Sequence, residues 1–397
     1  MTEASAAPSL PEPEVVHDDV GDTPDGSGSL KIGVPREIVP GERRVALIPE
    51  TVGKLVAAGL KVVIETGAGE GSSIDDASYL AAGASIAPDA TSLYSGANII
   101  AKVQPPLKDE IELIPSGSLL LCYLDAARFG DTLQLLTDRG VTVFSFNAVP
   151  RITRAQSMDA ISSMSTIAGY KAVLLAANAL TRFFPLLMTA AGTVAPARVF
   201  VIGAGVAGLQ ALATAKRLGA VTEGFDTRPA VREQVQSVGA KFVDMPLPEA
   251  QTEGAGGYAR EMEEEFLQRE REAIRQPLSR SDVVITTAMV PGKPAPRLID
   301  EEMVAGMRAG SVIIDLAAEA GGNCTLTVPG ETIVWHNVTI MGPLNLPSSL
   351  AVHASQMYSR NVATVILYVV KDGKLVLDPE DEILRAALLN LSPVVTS

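Results

Sequence analysis

The densest chemical signal in the chain is six residues long. Gly203-Ala204-Gly205-Val206-Ala207-Gly208 follows the apolar run Val199-Phe200-Val201-Ile202 and opens an apolar-periodic stretch from Leu209 to Leu218. Between a strand and a helix, Gly203 permits a tight turn, Gly205 lets a pyrophosphate approach the backbone, and Gly208 lets helix and strand pack closely. The following helix N-terminus offers free N–H groups and partial positive charge to phosphate oxygens. Asp226 stands at the end of a second strand-like run, Val221 to Phe225. A carboxylate there accepts hydrogen bonds from both adenosine ribose hydroxyls and repels a 2′-phosphate, which selects NAD over NADP. Arg228, two residues on, is the kind of group that pairs with such a phosphate, so the coenzyme choice stays open here. The alternative, glycines serving only a tight turn, leaves the acid at the second strand unexplained.

Other chemical groups are sparse. Cys122 and Cys324 match no metal or redox spacing and read as reduced thiols, and His17, His336 and His353 are equally scattered. No metal site is expected. The net charge of −14 excludes nucleic acid as the expected partner. The first thirty residues hold seven acidic and no Lys or Arg residues, with Pro, Ser and Gly between, so residues 1–30 are expected to be a disordered acidic tail without a secretory signal. The apolar stretch Met188 to Ala215 is broken by Pro196, Arg198 and four glycines, so it reads as a buried strand and helix and not as a membrane span.

The elements that must position the glycine turn follow a strand–helix rhythm. Strand-like runs occur at Lys31 to Val34, Val62 to Ile64, Ile99 to Ala101, Leu119 to Leu121 and Val141 to Phe144. A second series runs through residues 199–202, 221, 241–243, 283–285 and 312–314, after a long Ala- and Leu-rich helix expected over Gln156 to Phe183. A composition of 47% hydrophobic but only 4% aromatic residues suits helices packed on parallel strands. The expected fold is α/β, with two Rossmann-like doubly wound parallel-sheet domains and a cleft between them. Residues 31–160 plus 348–397 form the first, discontinuous domain, because the helical pattern from Ser348 to Val370 packs back on it. Residues 161–347 form the NAD(H)-binding domain.

Several stretches carry a family resemblance: KIGVPREIVPGERRVALIPETV, AKVQPP, PRITRAQSMDAISSMSTIAGYKAV, MTAAGTVAPARVFVIGAGVAGLQALATAKRLGA, TTAMVPGKPAP and GSVIIDLAAEAGGN. They resemble the superfamily of alanine dehydrogenase and the NAD(H)-binding domain of nicotinamide nucleotide transhydrogenase, in order and from about Lys31 to about Ser359. The two branches separate on chemistry. Imine reduction needs acid–base groups. Arg44 and Lys102 match the dehydrogenase arginine and lysine, but Asp125 stands where its histidine belongs and Glu319 where its aspartate belongs. Transhydrogenation passes hydride between the C4 atoms of two nicotinamides and needs proximity and orientation, not side-chain proton transfer.

The transhydrogenase branch implies further site residues. By resemblance Arg151, Gln156 and Asp159 orient the nicotinamide and its ribose as the catalytic set, with Ser162, Thr153 and Arg154 beside them. On the residues alone this segment is equally a helix N-terminus capped by Thr153 or Ser157, with Asp159 favouring the dipole. Gly257 and Tyr258 match a mobile loop that closes over nucleotide. Met289 is expected against the adenosine, although an ordinary core methionine fits its position nearly as well. Val206 and Thr227 complete the cofactor-binding set around Gly203, Gly205, Gly208, Asp226 and Arg228.

The resemblance also implies a Re/Si-specific, proton-translocating NAD(P)+ transhydrogenase that is active only with its partners. Here NAD(H) is held by this chain, and NADP(H) by a partner subunit. The partners would be a second copy in a homodimer and the membrane-embedded and NADP(H)-binding subunits, because this sequence stops at Ser397 without membrane helices. The chain would sit in the cytoplasm, peripheral on the inner (plasma) membrane. The rival readings are an alanine-dehydrogenase-like amino-acid oxidoreductase and a non-enzymatic NAD-sensing module.

Overall fold

A computed structural model describes residues 29–245, 264–290 and 292–390. The acidic tail, except its last two positions, and Gly257 and Tyr258 lie outside the described residues. The first sheet contains β1 (Lys31–Val34), β2 (Lys61–Glu65), β3 (Ser85–Ala87), β4 (Ile99–Ala101), β5 (Leu119–Cys122) and β6 (Thr142–Ser145), in the order β3-β2-β1-β4-β5-β6. Every pairing is parallel. Aliphatic runs such as Leu119-Leu120-Leu121 are buried, which is what a parallel sheet covered on both faces requires.

After a two-stranded hairpin of β7 (Leu187–Thr189) and β8 (Gly192–Val194), the second sheet begins at β9 (Arg198–Ile202). It continues through β10 (Val221–Phe225), β11 (Lys241–Val243), β12 (Val283–Thr286), β13 (Val312–Asp315), β14 (Thr332–Trp335) and β15 (Val338–Met341). Its order is β11-β10-β9-β12-β13-β15-β14, with β14 antiparallel at the edge. Both sheets therefore reverse winding direction once, between β1 and β4 and between β9 and β12. Crevices for ligands open at the carboxyl ends of strands flanking such a reversal.

Two long helices join the halves. The linking helix Ala160–Ala179 packs against the dinucleotide helix Val206–Arg217 and the return helix Ala351–Val369. By length and composition the linking helix could cross a membrane. Its Met164 and Ile167 instead bury in the first core and its Ala172, Val173 and Ala176 in the second. The return helix places Ala354, Tyr358, Val362, Val365 and Ile366 in the core under the first sheet.

Two expectations need correction. The helix expected from Gln156 to Phe183 starts at Ala160 and stops at Ala179, because Thr153–Met158 winds as a 3-10 turn and Asp159 caps the linking helix. The run Met188 to Ala215 is not buried throughout. Its first part is the hairpin β7–β8, where Met188 is 80% exposed and Val194 40%. Hydrophobicity alone did not reveal that these apolar side chains point outward.

Candidate functional site

The glycine turn is shaped by contacts that only glycine allows. Gly203 adopts φ +88°, and a Cβ there would stand 2.6 Å from the Thr287 hydroxyl, which donates to the Gly203 carbonyl at 2.8 Å. A Cβ on Gly208 would meet the Gly203 carbonyl oxygen at 1.9 Å, so helix and strand touch backbone to backbone. Gly205 faces open space, where a Cβ would find nothing closer than 3.9 Å. It is also the N-cap of the helix starting at Val206, and no side chain caps that end. Uncapped first-turn amides beside a bare glycine form a cradle for an anionic group.

Asp226 closes the turn from β10. It is 9% exposed, and its Oδ2 accepts the Ala204 N–H at 2.8 Å. Arg228 folds back on it: the backbone N–H and Nε donate to Oδ1 at 2.9 Å each, and Nη2 donates to Oδ2 at 2.9 Å. The guanidinium that could have met a 2′-phosphate is thus paired with the carboxylate. Thr227 between them is buried.

The 151–162 segment reaches the cleft through the linking helix. Asp159 is that helix's N-cap, accepting from Ser162 N at 2.8 Å and from the Ser162 hydroxyl at 2.6 Å. The sequence had offered Thr153 or Ser157 for this role. Arg151, Thr153 and Gln156 are exposed, and Arg154 pairs with Asp381 at 3.2 Å. Asn361 of the return helix braces the segment, donating to the Ser157 carbonyl at 2.8 Å and accepting from the Ser163 hydroxyl at 2.9 Å. Gly169 brings the linking helix onto the dinucleotide helix, since a Cβ there would lie 2.1 Å from the Ala207 carbonyl oxygen.

Between these parts lies a cavity of about 100 Å³, walled by Ser165 and Ala168 of the linking helix, Ala207, Thr287, Met289, Leu316, Glu319 and the Pro343–Pro347 segment. This is smaller than the roughly 300–1,000 Å³ of a drug-sized ligand pocket, so it suits one ring-sized group. Met289 therefore lines the cleft cavity, whose walls do not include Asp226, and does not sit at the adenosine end where it was expected.

Arg44 and Lys102, the two cations that a carboxylate-reducing site would use, are already engaged. Arg44 is 4% exposed; its Nε and Nη2 donate to Glu42 at 2.8 and 2.6 Å, and Nη2 also donates to Asn345 Oδ1 at 2.9 Å. Burial alone would raise the Glu42 pKa, but the Arg44 bonds and charge, helped by Gln104, bring it down to about 2. Lys102 is fully buried, 2.6 Å from Glu110 and 3.5 Å from Glu37. Burial opposes its charge, yet the two carboxylates outweigh that and raise its pKa. Asp125 accepts from Ala127 N at 3.0 Å within its own turn, and Glu319 accepts from Asn345 N at 2.8 Å and Arg128 at 3.4 Å. Sequence reasoning missed Glu37, Glu42, Glu110, Asn345, Asn361 and Gly169. The only available signals were a glutamate adjoining Arg43-Arg44 and a lone asparagine in an otherwise apolar helix.

Two doubly wound sheets facing one cleft, one of them bearing a glycine turn and a terminal acid, define a two-domain dinucleotide-binding protein. The comparisons place it more narrowly. The alanine dehydrogenase/PNT N-terminal domain model matches residues 33–168 and the C-terminal domain model residues 172–396. The chain belongs to this family. It is 51% identical over 361 residues to the first part of the NAD(P) transhydrogenase alpha subunit of Rhodospirillum rubrum, covering 89% of this chain and 94% of that one. A solved transhydrogenase from Sinorhizobium meliloti superposes with a TM-score of 0.82 at 41% identity, covering 90% of this chain and 98% of that one. A solved L-alanine dehydrogenase is more distant, with a TM-score of 0.76 at 28% identity, covering 90% and 94%.

Proposed function

We propose that this chain is the NAD(H)-holding subunit of a proton-translocating NAD(P)+ transhydrogenase, with direct, Re/Si-specific hydride transfer to or from NADP(H) on a partner subunit. One observation carries this choice over amino-acid oxidation. Arg44 and Lys102 are buried and neutralised by Glu42, Glu37 and Glu110, while the glycine turn stays open beside Gly205. Such a site lacks a free cation for a substrate carboxylate but fits a dinucleotide.

The bound nucleotide supplies the nicotinamide C4 that gives or takes the hydride. Gly203, Gly205, Val206 and Gly208 would present the uncapped helix amides to the pyrophosphate. Asp226 would hold the adenosine ribose, with Arg228 and Thr227 yielding to it. The cavity beside Ser165, Ala168, Met289 and Glu319 would take the nicotinamide end, within reach of the segment carrying Arg151, Thr153, Arg154, Gln156, Asp159 and Ser162. Gly257 and Tyr258 would close over it. Excluding water there favours direct transfer over exchange with solvent.

Membrane-embedded and NADP(H)-binding subunits are the proposed partners, as the subunit names of the relatives imply, with this chain peripheral on the cytoplasmic face. A second copy is the proposed occupant of the hairpin Leu187–Val194 and the adjoining Phe183 and Leu186, which are 58% and 54% exposed. The test is reconstitution with the NADP(H)-binding and membrane subunits, measuring reduction of an NAD analogue by NADPH. Turnover supports the reading. NADH formation from NAD and L-alanine by the isolated chain overturns it.

A further inference from the structure

Asn345 sits where the chain crosses back from the second sheet toward the return helix, and it is held in the left-handed region at φ 45°, ψ 43°. An asparagine tolerates that conformation better than most residues, but the conformation still needs support. The support comes from the opposite domain. Asn345 Oδ1 accepts from Arg44 Nη2 at 2.9 Å, and its Nδ2 donates to Glu42 Oε2 at 2.9 Å. Its backbone N–H donates to Glu319 at 2.8 Å. Nearby, the Ser348 hydroxyl donates to the Gly41 carbonyl at 2.8 Å and accepts from Arg43 N at 2.8 Å.

The same residue lines the cleft cavity, together with Pro343, Leu346 and Pro347 on its own segment and Glu319 on the next. One wall of the cavity is therefore hung, through a single carboxamide, on a buried ion pair of the other domain. Arg44 and Glu42 cannot drift, because both are desolvated and their charges satisfy each other. Any slack in Asn345 is slack in the wall.

We propose that Asn345 is a positioning residue: it fixes the 343–347 wall of the cleft to the Glu42–Arg44 pair and so sets the orientation of the ring held in the cavity. The inference rests on the reading that this cavity takes the nicotinamide end of NAD(H). It assigns Glu42 and Arg44, which no longer serve a carboxylate substrate, a role in that orientation. Asn345 touches neither hydride nor proton. Its effect is on the fraction of bound nucleotide that is aimed correctly.

Asn345→Gly separates this role from backbone strain, since glycine keeps the left-handed conformation at no cost and removes both amide bonds. In the reconstituted complex, transfer at saturating nucleotide is expected to fall about tenfold or more, because misplacement by about 1 Å is costly. The Kd for NADH, set largely at the glycine turn and Asp226, should change less than about threefold, giving a kcat effect and not a KM effect. In the isolated chain, the emission of bound NADH should move toward that of free NADH.

Asn345→Asp puts a carboxylate against Glu42 and should be at least as defective. Adding Glu42→Gln restores a donor–acceptor match with Arg44 still paired, so the double variant should recover most of the emission and the rate. Thermal melts of all variants check folding, and if Asn345→Gly does not fold, the Asp variant and its rescue decide. Wild-type emission and rate in Asn345→Gly, or equal losses in Kd and kcat, overturn the inference, as does failure of the double variant to recover. A wild-type chain that does not change NADH emission at all overturns the underlying reading instead.

Discussion

Replacing Gly169 with alanine adds one methyl group far from any nucleotide-binding side chain, yet it should weaken NADH binding. The added Cβ would lie 2.1 Å from the Ala207 carbonyl oxygen and 2.9 Å from its carbon. Moving that oxygen out to ordinary contact at 3.4 Å parts the linking and dinucleotide helices by about 1.3 Å. Both partners of the clash are helix backbone, so no side chain can rotate away. Overpacking of this kind costs about 1–3 kcal/mol, and for a domain of this size about 3–10 °C in Tm.

The shifted turn is the one whose amides are proposed to bind the pyrophosphate. A displacement of about 1 Å takes a good N–H···O bond out of hydrogen-bond range. Losing one charge-assisted bond, worth about 1.5–3 kcal/mol, weakens binding by roughly 10- to 100-fold. Calorimetric melting and an NADH fluorescence titration read the two effects separately. An unchanged Tm would refute the packing argument. A lowered Tm with an unchanged Kd would show that the Ala207 turn does not position the phosphate.

Three further outcomes rest on the charges. Asp226→Asn should weaken NADH about tenfold and narrow the preference over NADPH, measured by paired titrations, since the anion that repels a 2′-phosphate is gone. Glu270 is 4% exposed, and burial, with Asp226 nearby, pushes its pKa from 4.5 up to about 8. Its contribution to stability is therefore full below pH 4.5 and is lost as the pH rises toward 8. Glu270→Gln should gain on the wild type between pH 5 and 8, at up to about 1.4 kcal/mol per unit, read from Tm against pH. A Tm difference that stays flat with pH would count against this. Glu42, at about 2, contributes stability above pH 4.5 that is lost as the pH falls toward 2. Arg44→Met strands its buried carboxylate and should cost about 3–5 kcal/mol at pH 7, with a smaller deficit at pH 4, by denaturant melts at both pH values.

What the sequence determined by itself was local. Strand runs such as Val199 to Ile202 and Leu119 to Leu121 announce a parallel sheet because both of their faces must be apolar. The glycine turn is legible because three glycines in fixed register answer three backbone demands within six residues. The hairpin at Leu187–Val194 misled, because hydrophobicity does not say which surface covers a side chain. Only the tertiary structure decided the rest of the site. Asp159 became the helix cap once the preceding residues wound as a 3-10 turn. Gly169 matters because of a carbonyl on another helix. Asn345 and Arg44 meet across 301 residues of chain. Periodicity and turn chemistry act over a few residues, whereas the pairing of buried charges depends on how two finished sheets dock, and no short stretch of sequence carries that information.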